Sequence, residues 1–235
     1  MWRKRKTPAK RRVFLRRWWQ RVWLGVLMVW LTAVLLVALG RWAVPPATHT
    51  MLVEWRAQGE LTRDWVALEA MSEHMPRAAV AAEDAGFCAH NGFDWGAIRA
   101  QLEGGAQRGA STISQQVAKN VYLWQGRSWL RKGLETGVTI IIETTWPKHR
   151  IIEVYLNVAE TGIGTFGVEA AAQWYYGRGA SKLTATQAAQ IAAILPAPRQ
   201  RDPKATTPFH SARVAQIRDG AATIARDGRA DCLVP

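Results

Sequence analysis

No acidic residue occurs before Glu54, and the 235 residues include only two cysteines. Arg3, Lys4, Arg5, Lys6, Lys10, Arg11, Arg12, Arg16, Arg17 and Arg21 therefore supply ten uncompensated positive charges of a formal +13. The rest of the chain holds 21 basic against 18 acidic residues, about +3. An excess confined to one end argues against nucleic acid as a partner. Cys88 and Cys232 lie far apart in sequence and nothing in it fixes their distance, so no disulfide is expected. The lack of C-x-x-C or His-rich spacing excludes the usual structural zinc site. Alternating strand patterns are almost absent as well, leaving a mainly α chain with room for one domain and an appendage.

The appendage continues directly from the basic block. Residues 22–40 (VWLGVLMVWLTAVLLVALG) carry no charge, and at about 1.5 Å per residue they nearly cross a hydrocarbon core of roughly 30 Å. This reads as a transmembrane helix. A buried core helix rarely follows so many unpaired cations. A cleaved signal peptide is disfavoured because the run exceeds an ordinary signal core, although Ala38, Gly40 and Ala43 resemble a cleavage region. The positive-inside rule then puts residues 1–21 in the cytoplasm and everything after about Arg41 across the membrane. Trp18, Trp19, Trp23 and Trp42 suit its two interfaces, and Trp30 sits mid-span.

A linker over 41–60 contains Pro45 and Pro46, which stiffen the exit. Apolar recurrence at three and four residues predicts helices over 61–70, 95–102, 111–123, 129–145, 148–159, 167–176 and 184–195. Residues 151–158 could pass for a strand, but Ile151, Ile152, Tyr155 and Val158 also share one helical face. A domain over 61–198 is expected, and 199–235 reads as a short helix or loose tail without an assigned role.

Four runs carry polar groups suited to chemistry. In AAEDAGFCAHNGFDW (81–95), Glu83, Asp84, His90 and Asp94 sit among small and aromatic residues, where a carboxylate's pKa can rise and serve acid–base work; a capped helix end is the alternative. In GASTISQQVAKN (109–120), Ser111 at a helix start leaves N–H groups for an anion, and Gln115, Gln116, Lys119 and Asn120 add donors; an N-cap with a solvated face is the alternative. In RSWLRKGLETGVTIIIE (127–143), Arg131 and Glu135 are spaced for one helix face, as a surface salt bridge or, with Lys132, as a diphosphate or cation site. The fourth run, 148–172, contains Gly162, Gly164 and Gly167 as G-x-G-x-x-G. No acid follows Glu169 before Asp202, so a dinucleotide site is rejected and a tight loop between helices is expected.

These runs, in this order, closely resemble the peptidoglycan glycosyltransferase domain of glycosyltransferase family 51, in its monofunctional biosynthetic form. The resemblance covers about 61–198 and includes a fifth element, LTATQAAQIAAILP (183–196). Gln187 stands where many members carry Glu, and Gly86 and Cys88 replace bulkier or polar residues. The resemblance implies a lysozyme-like, mainly α fold whose small lobe dips into the membrane. Residues 121–132, where aromatics interleave with cations, suit lipid contact near that lobe, with ordinary core packing as the alternative.

It also implies polymerisation of lipid II with release of undecaprenyl diphosphate. By motif, Glu83 matches the base that deprotonates the acceptor 4-hydroxyl for an inverting attack. Glu135 matches a second carboxylate at the diphosphate end, with Mg²⁺ or Mn²⁺ as a candidate cofactor. Lys119, Arg131 and Lys132 match positions that neutralise the diphosphate, and Ser111, Gln115, Gln116 and Asn120 match substrate-binding positions. Many relatives add a transpeptidase, but no S-x-x-K or K-T-G occurs here, so polymerisation without cross-linking is expected. The growing glycan strand, membrane lipid and cell-wall synthesis or division proteins are the expected partners, and the bacterial inner membrane the expected location. A lytic enzyme sharing the fold would not need cations for a diphosphate, and a lipid II-binding scaffold would not need both glutamates.

Overall fold

The computed structural model describes residues 8–104, 111–126 and 128–233. The first seven residues with their four cations, the 109–110 opening of the second run, and Arg127 lie outside the described residues.

Helix α1 (Pro8–Leu39) runs unbroken for 32 residues, and within it Val13–Leu39 is long and apolar enough to cross a membrane. Its end is docked on the domain. Trp146 donates its indole Nε1–H to Val37 O at 2.9 Å, and Arg150 donates to Gly40 O and Ala43 O. These bonds tie the last turn of α1 and the residues just after it to α6 and α7. The stretch expected as a linker contains α2 (His49–Gln58), capped by Thr48 and closed by Gly59 at φ 78°.

Residues 61–70 correct the helix expected there. Thr62–Arg63 form a strand, β1, and a 3₁₀ turn comes after it at Leu68–Ala70. The reason is a buried Asn157, which accepts from Val66 N and donates to Val66 O, both at 2.9 Å, offering the extended chain the pairing a neighbouring strand would supply. Helix α3 (His74–Glu83) escapes the sequence pattern because Pro76 reads as a breaker; it lies in the first turn, where no helical N–H is needed. Next come α4 (Trp95–Leu102), α5 (Ile113–Val117), α6 (Trp129–Thr145) and α7 (Lys148–Val158). The helical reading of 151–158 is correct.

The glycine-rich fourth run folds as a hairpin rather than a loop between helices. β2 (Glu160–Gly162) pairs antiparallel with β3 (Thr165–Phe166), and β1 lies parallel on the other side of β3. Gly167 adopts φ 85° with its Cβ position 3.0 Å from Asn157 O, so no side chain fits. Helices α8 (Val168–Tyr176) and α9 (Ala185–Ile194) complete this part of the chain.

The segment expected as a short helix or loose tail is α10 (Pro208–Arg226), a 19-residue helix capped by Thr207 with Pro208 in its first turn. Val214, Ile217 and Ile224 bury its inner face against α3 and α9. Alanines at 78, 79, 81 and 82 of α3 and at 188, 189, 192 and 193 of α9 are buried, and such small side chains let helix axes approach closely. Beyond α10, Cys232 is bonded to Cys88, with Cα atoms 5.6 Å apart. The expectation of no disulfide is thus overturned: the return of α10 across α3 closes a separation of 144 residues.

Candidate active site

Glu83 is the last residue of α3, and the chain breaks from helix at Asp84 (φ −158°, ψ 72°). Gln116 Nε2 donates to Glu83 Oε2 at 3.1 Å. Burial raises the Glu83 pKa above the ordinary carboxylate value; the Gln116 bond, Arg213 and Arg201 oppose the rise, and the Asp84 charge adds to it. Asp84 points inward instead. His90 Nε2 lies 2.8 Å from Asp84 Oδ1, and Ile113 N donates to Oδ2 at 3.0 Å.

The second run departs from its expected geometry at its start. Thr112, not Ser111, caps α5, in a box with Gln115: Thr112 N donates to Gln115 Oε1 at 3.1 Å and Gln115 N to Thr112 Oγ1 at 3.3 Å. The N–H groups expected to await an anion are engaged by Thr112 and Asp84. Ser111 is exposed beside the undescribed residues, and Gln115 is buried in the cap. Asp94 caps α4 through Ala97 N, so for this residue the helix-cap alternative holds.

After α5 the helix widens into a π turn (Ala118–Tyr122) that carries Lys119 and Asn120, both facing one cavity with Gln116. The spacings 116, 119 and 120 put these donors on one helical face. Burial lowers the Lys119 pKa; Glu135 and Glu83 both oppose that and Arg131 and Lys132 reinforce it, so Lys119 stands within electrostatic reach of both glutamates. On α6, Glu135 is 3% exposed, and each of its oxygens meets a cation at 2.5 Å: Arg131 Nη1 at Oε2 and Lys132 Nζ at Oε1. The four-residue spacing read from the sequence is thus realised as a buried pair. Farther along α6, Glu143 accepts from Ser114 of α5 and, at 2.8 Å, from Lys148 Nζ, which also donates to His90 O at 2.7 Å. These bonds lock the first three runs together.

The cavity at Gln116, Lys119 and Asn120 measures about 310 Å³. A larger one of about 620 Å³ lies beside Ile163, Trp174 and Tyr175, and the two share Pro198 and Arg199 as walls. The smaller one is lined by Gln116, the partner of Glu83, and by Lys119, which makes it the candidate site. Sequence reasoning misses Arg199, which pairs with Glu54 of α2 at 2.5 Å and Glu160 of β2 at 2.7 Å. Its one signal is its position just after Pro196 and Pro198, where the sequence reads as tail. Burial raises the Glu160 pKa, and the Arg199 bond opposes it.

A divalent ion does not fit the protein groups alone. Both Glu135 oxygens are taken by cations, and the described residues hold no group of three His, Cys, Asp or Glu able to bind a metal.

A transglycosylase family model matches residues 49–222, from α2 into α10. Proteins named biosynthetic peptidoglycan transglycosylase are similar over most of the chain. That of Jannaschia sp. (strain CCS1) is 47% identical, covering 93% of this chain and 90% of the relative. That of Rhodospirillum centenum is 49% identical, covering 86% and 91%. That of Pseudomonas aeruginosa is 46% identical, covering 87% and 92%.

Proposed function

This chain belongs to the transglycosylase family, and on that premise we propose how it polymerises peptidoglycan glycan strands from lipid II. Glu83 takes the proton of the acceptor sugar's 4-hydroxyl. That oxygen attacks the anomeric carbon of the donor, and the C1–O bond to the diphosphate breaks with inversion. The bonding pair leaves on undecaprenyl diphosphate. The observation that carries the reading is Gln116 holding Glu83 Oε2 beside a cavity that also presents Lys119. A carboxylate with its pKa raised by burial is a better base near neutral pH, and general-base help is worth about 10² to 10⁴ in rate.

Lys119, Arg131 and Lys132 neutralise the charge that grows on the leaving diphosphate, as positioned cations do for phosphoryl groups. Glu135 holds Arg131 and Lys132 in place. Gln116 and Asn120 offer hydrogen bonds to the sugars; Gln115 supports them from the cap, and Ser111, exposed ahead of α5, offers a further hydroxyl. No step runs through Mg²⁺ or Mn²⁺. A divalent ion there would be held chiefly by diphosphate oxygens, with Glu135 reached only where a cation yields it.

The protein sits in the bacterial inner membrane through α1, with its N-terminus inside and the domain outside. Exposed Trp129 (93%), Leu130, Leu134 and Ile140 on α6, which packs on α1, support lipid contact by this face. The test is detergent-solubilised protein with labelled lipid II, comparing wild type with Glu83→Gln by product length. Long strands from the wild type and none from the variant are expected. Equal strand yield from both would remove Glu83 from the chemistry.

A further inference from the structure

Helix α3 ends at Glu83, and the last carbonyls of any helix lack intrahelical partners. One of them, Ala82 O, belongs to the peptide that joins Ala82 to Glu83. Arg213 of α10 donates its Nη2–H to this oxygen at 3.1 Å. A cation at this end also complements the negative pole of α3.

The helix that supplies it is held firmly. Val214, Ile217 and Ile224 anchor α10 in the core, and at Gly220 a Cβ would stand 3.4 Å from Ala81 Cβ, so the two helices approach closely there. Farther on, Cys232 is bonded to Cys88, five residues beyond Glu83. The C-terminal segment thus grips the chain on both sides of the Glu83–Asp84 pair, at Ala82 and at Cys88.

We propose that Arg213 is a positioning residue for the catalytic base, and that the C-terminal segment is a brace that holds the Glu83 peptide in register with the cleft. The inference rests on Glu83 being the base. The charged and titratable groups around Glu83 are Asp84 on the same turn, Lys119 on the π turn, Tyr155 on α7, Arg201 after α9, and Arg213 itself. Of the cations among them, Arg213 joins charge to a bond on the Glu83 peptide. Its charge holds the Glu83 carboxyl lower than burial alone would.

The experiment is the pH profile of kcat/KM for the full-length chain in detergent with labelled lipid II, for wild type, Arg213→Gln, Arg213→Lys and Glu83→Gln. Arg213→Gln is expected to move the acid limb to higher pH, with KM nearly unchanged. Arg213→Lys keeps the charge but not the guanidinium fork, so its limb stays at the wild-type pH while kcat falls. A role in packing alone would lower the plateau without moving the limb.

A limb for Arg213→Gln that coincides with wild type overturns the inference. If that variant fails to fold, Arg213→Lys carries the test, and wild-type kcat in it overturns the positioning role. Glu83→Gln separates the two failures. An active Glu83→Gln removes the base and this inference with it, whereas an inactive Glu83→Gln beside an unmoved Arg213→Gln limb removes this inference alone.

Discussion

His90 Nε2 donates to Asp84 Oδ1 at 2.8 Å, because Gly92 N–H occupies the other ring nitrogen, Nδ1, at 3.2 Å and makes it the acceptor. Asp84 therefore faces donors at both oxygens, the second being Ile113 N. Asp84, the residue next to Glu83, thus acts as a joint between the first and second runs.

Asp84→Asn removes this double acceptor, since an amide turns an N–H towards one of the two donors. A buried hydrogen bond to a charged group is worth about 2 kcal/mol, or a melting decrease of roughly 4–8 °C at this size. A melting curve superimposable on wild type would show that Asp84 is not a joint.

Glu83 should cost stability when ionised. Its folded pKa is raised above its unfolded value, so the native state binds the proton more tightly. The stabilising proton is present below the unfolded pKa, and that advantage is lost as pH rises through the folded pKa. Glu83→Gln carries no charge to desolvate, and its amide oxygen can still accept from Gln116. Thermal melts should place the variant at or above wild type near pH 8 and bring the two together in acid. A variant less stable at pH 8 than at pH 5, relative to wild type, contradicts this sign.

Reduction of the Cys88–Cys232 bond opens a closure of 144 residues, for which chain entropy sets an upper figure of roughly 5 kcal/mol. The native protein should show no thiol to maleimide in denaturant until a reductant is added, and the reduced form should melt lower. Two titratable thiols in unreduced protein would refute the bond. Such a disulfide also requires an oxidising compartment, consistent with a domain outside the cytoplasm.

Gly40 ends the anchor where space is shortest. A Cβ there would lie 2.3 Å from Tyr122 Oη and 2.7 Å from Trp146 Cζ2. Gly40→Leu should push α1 off the domain at a cost of about 1–3 kcal/mol, seen as a lower melting temperature in detergent. An unshifted melt would mean that α1 does not dock here.

Local chemistry makes much of this protein legible in one dimension. The charge-free run after ten cations, the periodic helices at 95–102 and 129–145, and the Arg131–Glu135 spacing depend on neighbours within a few residues, and the structure keeps them. The failures share a cause. Residues 61–70 read as helix because the decisive group, Asn157, lies some ninety residues away. Helix α10 has an apolar stripe of only a few residues, which has meaning once α3 and α9 lie beneath it.

What the sequence determined by itself was the N-terminal helix long and apolar enough to cross a membrane, the mainly α character and the residue types of the candidate site, because hydrophobic period and side-chain chemistry are properties of short stretches. Tertiary structure alone decided that Cys88 meets Cys232, that Arg199 joins Glu54 to Glu160, and that Arg213 reaches the Glu83 peptide. Those pairings depend on how packed helices bring distant segments together, and sequence separation carries no measure of that distance.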